Sequence, residues 1–144
     1  MELVLASQMG QLHDGEQFLA ATRANFVKPA GGIGVLGLVA VAINERAKAG
    51  REIPIKDHMI WAVTERRLLV WQADRVRNLK PTTFLGSAQL GSEAHDLLIE
   101  AGRKTTRLRL GLFGKPVTVK MPTDEATPVC DVLRLHVPPL TPPG

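Results

Sequence analysis

Leu108, Leu110 and Leu112 alternate with Arg107, Arg109 and Gly111, and after the turn Phe113-Gly114-Lys115-Pro116 the segment PVTVKM alternates again, with Val117, Val119 and Met121 facing one way. A period of two is the pattern of a strand buried on one face. The rhythm of short apolar runs between turn signals extends upstream. EQFLAATRANFV, residues 16–27, ends with Ala24 and Phe26 set against Arg23 and Asn25, and Lys28-Pro29 with the glycines behind it stops that strand. Met59, Ile60, Ala62 and Val63 predict the next strand, and Leu68 to Trp71 the one after, with Thr64-Glu65-Arg66-Arg67 as the corner. A polar connection, QADRVRNLKPTT, follows. Phe84 to Leu90, closed by Gly91-Ser92, and His95 to Glu100, closed by Gly102-Arg103-Lys104, predict two more strands. Strand starts at intervals of about ten residues are the spacing of an antiparallel sandwich or barrel.

Two segments break the rhythm. From Ile33 to Ile43 every residue is apolar or Gly, and the run turns charged at Asn44-Glu45-Arg46. It falls short of the roughly 20 apolar residues a spanning helix needs. Its Gly and β-branched content argues against helix in the first half, whereas Arg46 and Lys48 ahead of Gly50 give the second half a helix-like finish. Residues 28–52 therefore read as an apolar, Gly-rich insertion after the first strand, partly helical. The second break is C-terminal. Thr127-Pro128 predicts an N-cap and first helical position, and Val129, Val132, Leu133 and His136 fall on one helical face until Pro138-Pro139. The expected organisation is a lead-in over 1–13, one domain over 14–137 and a Pro-rich tail over 138–144, mainly β with one C-terminal helix.

Asp14-Gly15-Glu16 before the first strand, the hairpin Ala62-Val63-Thr64-Glu65-Arg66-Arg67-Leu68-Leu69 and the segment FLGSAQL carry a resemblance. Together they resemble the bacterial pleckstrin-homology-like domains and, more loosely, their GRAM relatives. The resemblance spans about residues 14 to 136. It implies a split barrel of about seven antiparallel strands in two near-orthogonal sheets, plugged by the C-terminal helix. Under that reading Thr64 caps the corner, and Arg67 lays its stem over apolar surface with its head solvated.

Composition narrows the function classes. With 144 residues, 44% hydrophobic and 22% charged, the chain can bury one ordinary core without staples. Four Phe, two Trp and no Tyr leave that core to aliphatic side chains. The single Cys130 rules out an internal disulfide and a cysteine-based zinc site, and points to a reducing, cytoplasmic compartment. MELVLASQMGQ has no basic n-region, so no secretory signal is expected. The net charge of +4 is only mildly basic, and Arg75, Arg77, Lys80, Arg103, Lys104, Arg107 and Arg109 are not interleaved with aromatics. Base stacking has no platform there, and no nucleic-acid partner is expected.

Gly32-Ile33-Gly34-Val35-Leu36-Gly37, with Asp57 twenty residues on, spells the dinucleotide fingerprint. Four residues, Lys28 to Gly31, separate it from the strand, and no βα unit follows, so nucleotide binding ranks last. His13, His58, His95 and His136 form no i, i+4 pair, and Ser87 stands outside any G-x-S-x-G elbow. Cys130 and His136 read as partly buried structural residues. No catalytic residue, metal site or cofactor is expected.

The candidate contact residues are Ile33, Val35, Leu36, Leu38 and Val39 in the apolar run, with Lys28, Arg46, Lys48 and Arg51 flanking it. Three roles fit them: burial against the barrel, a contact between copies, or a wedge in an anionic bilayer with the basic residues at the headgroups. The expected function is a non-catalytic binding or adaptor module acting through protein contacts or self-assembly, with a homo-oligomer among the options. The alternative is peripheral attachment to the inner face of the membrane through the insertion.

Overall fold

The computed structural model describes residues 12–27, 51–74 and 81–140. Seven strands and one helix follow in order: β1 (Ala20–Phe26), β2 (His58–Val63), β3 (Arg67–Ala73), β4 (Pro81–Gln89), β5 (Ala94–Glu100), β6 (Thr105–Leu112), β7 (Lys115–Pro122) and α1 (Thr123–His136). All strand pairs are antiparallel in one unclosed sheet of order β4-β3-β2-β1-β7-β6-β5. The mainly-β reading with one closing helix therefore holds. The N-terminal part of the lead-in and residues 28–50 of the insertion, with its expected helix, lie outside the described residues.

The alternating patterns do what their period predicts. Leu108, Leu110, Val117, Val119 and Met121 turn into the core, while Arg107, Arg109 and Lys120 are exposed. That core takes side chains from all seven strands and from Ala126, Val129, Cys130 and Leu133 of α1. The central hairpin is different, because β2 and β3 are apolar at nearly every position. Met59, Trp61, Val63, Leu68 and Val70 join the main core. Ile60, Ala62, Leu69, Trp71 and Ala73 form a second cluster on the opposite face. There the Trp71 ring meets Phe18 edge-on at 5.9 Å and Phe84 at 5.4 Å, a spacing at which aromatic pairs add attraction beyond burial. A hairpin without a polar face is buried on both sides.

Several boundaries depart from expectation, β1 among them, which starts at Ala20 and not at Glu16. Arg67 belongs to β3 rather than to the corner, because Thr64 N–H donates to the Arg67 carbonyl and closes the turn there. β4 starts at Pro81, not Phe84; the first residue of an edge strand tolerates a missing N–H. The helix starts at Thr123, so Thr127 is not its N-cap and Pro128 lies inside it. Asp124 and Glu125 in the first turn supply the acidic start. The Thr127 hydroxyl instead donates back to the Thr123 carbonyl at 2.9 Å. Cys130 is buried, but His136 is exposed, contrary to the expectation for that pair.

α1 is docked by a fork. β1 pairs with β7 only at Asn25 and Phe26, which leaves the backbone before them without a strand neighbour on that side. Glu125 fills the gap. It accepts from the Arg23 backbone N–H at 3.1 Å, and from Arg23 Nη2 at 2.8 Å. The helix thus continues where the β1–β7 ladder stops.

Candidate functional site

Polar chemistry gathers in three places among the described residues. The first is under the corner of the β2–β3 hairpin. Thr64 Oγ1 accepts from the backbone N–H groups of Arg66 and Arg67, at 3.1 and 3.0 Å, and donates to Glu16 Oε2 at 2.9 Å. Arg67 donates to both Glu16 oxygens, Nη2 to Oε1 at 2.6 Å and Nε to Oε2 at 3.0 Å, and its Nη1 reaches Ser87 Oγ on β4. Side-chain exposure is 8% for Arg67 and 3% for Glu16. The Thr64 cap is as expected. The solvated Arg67 head is not: the guanidinium is buried because the Glu16 carboxylate, from the segment ahead of β1, meets it. The bidentate Arg67 contact lowers the Glu16 carboxyl to about 2. With the His13 backbone N–H as a fourth donor, the carboxylate is a structural tie, unavailable as a general acid or base near neutral pH.

The second place is the β-bulge between His95 and Leu98, where Asp96 takes φ of 53°. Gly114 N–H donates to His95 Nε2 at 3.0 Å. That bond places the ring proton on Nδ1, which lies 2.8 Å from Asp96 Oδ2. Both ring nitrogens are engaged, so this His–Asp pair has no free nitrogen to act as a base. The Gly111 backbone packs under the same ring, where no side chain fits.

The third place is the outward face of β5, β6 and β7. Register sets Glu100 opposite Arg107 and Arg107 opposite Lys120, and, one step along, Leu98 opposite Arg109 and Arg109 opposite Thr118. These side chains share one face because the intervening pairs, Thr106–Met121 and Leu108–Val119, turn inward. Leu98, Glu100, Arg107, Arg109 and Thr118 line an open cleft of about 230 Å3. Among the described residues Arg107, Arg109, Lys120 and Glu100 make no ion pair and no side-chain hydrogen bond. Like charges directly across an antiparallel pair repel, so the Arg107–Lys120 apposition is a standing cost within the isolated fold.

The sequence-level candidates fare unequally. Lys28, Ile33, Val35, Leu36, Leu38, Val39, Arg46 and Lys48 lie outside the described residues, as do Gly32, Gly34 and Gly37. Arg51 is placed, and its guanidinium donates to the carbonyls of Pro116 at 2.6 Å and Lys115 at 3.3 Å. Burial raises the Cys130 thiol, which disfavours the thiolate that nucleophilic chemistry needs. Among the described residues no group of three His, Cys, Asp or Glu is arranged to hold a metal, and no helix is long and apolar enough to cross a membrane. Sequence reasoning missed Lys120 and Thr118. Their signal was present in the alternation of VTVKM, but only the β6–β7 register brings them beside Arg107 and Arg109. No family model matches the chain, and no curated protein matches it.

Proposed function

We propose that this chain is a non-catalytic binding module, built on a pleckstrin-homology-like split barrel, that works in the cytoplasm through contacts with proteins, a partner's or its own copies. The split-barrel reading is supported by the strand order, with α1 closing the chain. It is also supported by the shared core. A flat sheet of seven strands at about 4.8 Å spacing would be roughly 29 Å wide, yet β4 ends at Gln89 and β5, at the opposite edge, begins at Ala94, a link of about 18 Å at most, and both strands feed one core cluster. A strongly bent sheet accounts for both.

One observation carries the functional reading. Most polar side chains buried in the described fold are spent on the scaffold, as in the Glu16–Thr64–Arg67–Ser87 tie, the Trp61 indole N–H being an exception, whereas Arg107, Arg109 and Lys120 gather without ion-pair partners among the described residues on one open sheet face. Such a face suits contact between surfaces. It does not enclose a reacting molecule, and its cleft of about 230 Å3 is smaller than the roughly 300 Å3 at which small-molecule pockets begin. Of the basic residues required for the membrane alternative, Arg51 is turned to main-chain carbonyls of β7, which favours the protein reading.

Chemical crosslinking of the full chain in its own cells, with the adducts resolved by mass, tests this reading. Adducts of protein size that contain this chain, with itself or with a recurring partner, are expected. A chain that forms none, and instead turns over a small molecule when purified, contradicts it.

A further inference from the structure

We propose that the outward face of β5–β6–β7 binds an extended acidic segment of a partner protein, whose alternate carboxylates sit on Arg107, Arg109 and Lys120. This names the partner class of the protein-contact reading above and rests on it.

Spacing selects the ligand. Arg107 and Arg109 are two residues apart on one strand face, about 6.7 Å along it, and Lys120 lies about 5 Å across from Arg107. The three cations are spread over two strands and do not converge on one point as they would round a single phosphate. An extended polypeptide repeats its same-side residues at that same 6.7 Å or so, so carboxylates at alternate positions meet successive cations. Arg107 and Arg109 offer planar forks that match a carboxylate with two parallel hydrogen bonds. Leu98, 41% exposed in the cleft, provides an apolar patch beside them. Thr118, half-buried, places a hydroxyl at the cleft wall.

Other ligands fit less well. The face carries no aromatic ring on which a base would stack. Its one large apolar side chain, Leu98, lines the cleft and does not form the broad apolar stripe that an interfacial membrane element buries. Addition of the partner as an eighth strand at Leu97 is blocked by this chain itself. Leu97 N–H donates to the Pro138 carbonyl, and Leu140 N–H donates to the Leu97 carbonyl. The partner therefore lies across the face.

The like-charge apposition gives the test an unusual signature. Lys120→Glu replaces repulsion across the β6–β7 pair with attraction, so it should raise the melting temperature while weakening the partner. A purely structural role for Lys120 moves stability and binding in the same direction. Fluorescence anisotropy with a labelled alternating Glu–Ser peptide, and its Gln–Ser counterpart as control, measures the binding.

The Glu–Ser peptide is expected to bind wild type with an affinity that falls as salt rises. The Gln–Ser peptide is expected not to bind, and Lys120→Glu and Arg107→Glu/Arg109→Glu are each expected to lose about tenfold or more, equivalent to about 1.4 kcal/mol. Equal binding of the two peptides, unchanged affinity in both variants, or stronger binding to single-stranded RNA or phosphatidylglycerol vesicles overturns the proposal. If the peptide fails while crosslinking in cells still yields protein adducts, the partner class is wrong and the protein-contact reading stands. If both fail, that reading goes too.

Discussion

Glu16→Gln is the most informative perturbation of the fold. The carboxylate is 3% exposed and gripped by Arg67 at 2.6 Å, with Thr64 as a further donor. Held at about 2 instead of its ordinary 4.5, it contributes about 3 kcal/mol at neutral pH, at about 1.4 kcal/mol per tenfold change in proton affinity. The folded-state value lies below the unfolded one. The contribution is therefore complete above about pH 4.5 and is lost as the pH falls through about 2. Loss of one partner of a buried pair costs about 3–5 kcal/mol; a Gln amide still accepts from Arg67, which places this variant at the lower end. Urea denaturation of wild type and variant at pH 7 and pH 3 is the assay. A deficit of about 3 kcal/mol is expected at pH 7, shrinking to about 1 kcal/mol at pH 3, where most of the wild-type advantage has been titrated away. A deficit below about 1 kcal/mol at pH 7, or one equal at both pH values, refutes the buried tie.

Three further substitutions probe separate parts of the fold. Thr64→Val removes one acceptor of two backbone N–H bonds and one donor to Glu16; a loss of about 2 kcal/mol in urea denaturation is expected, and an unchanged midpoint contradicts the cap. Gly102→Ala lies in an exposed turn, yet the added methyl overlaps the Thr105 carbonyl, so circular dichroism melting should show a clear loss where surface changes normally stay within about 0.5 kcal/mol. Pro128→Ala restores a helical N–H toward the Asp124 carbonyl at an exposed position and should stabilise by about 1 kcal/mol; a lower melting point shows that the proline is accommodated better than helix energetics allow.

Much of the fold was legible because its signals are local. Alternation over 106–112 and 116–121 specified both the strands and their buried faces, and turn residues separated most of the others. The helix start was misread because Thr127-Pro128 mimics an N-terminus, while the true one at Thr123 has no side-chain cap, and its anchor, Glu125 on Arg23, is 102 residues away in sequence. Long range also hid the two sites. Glu16 and Arg67 are 51 residues apart, and nothing in either neighbourhood signals a buried pair. Arg107 and Arg109 look unexceptional in sequence until register adds Lys120 beside them and sets Glu100 across from Arg107 without an ion pair to any of the three.

The proposed protein contact lies on the outward face of β5–β6–β7. A photo-crosslinking residue at Thr118, on the cleft wall, tests it most directly inside living cells, with Thr82, exposed on β4 at the far edge of the sheet, as control. One recurring protein adduct is expected from Thr118, lost when Lys120→Glu is added, and none from Thr82. No adduct at Thr118, or the same adducts from both positions, contradicts the proposed contact.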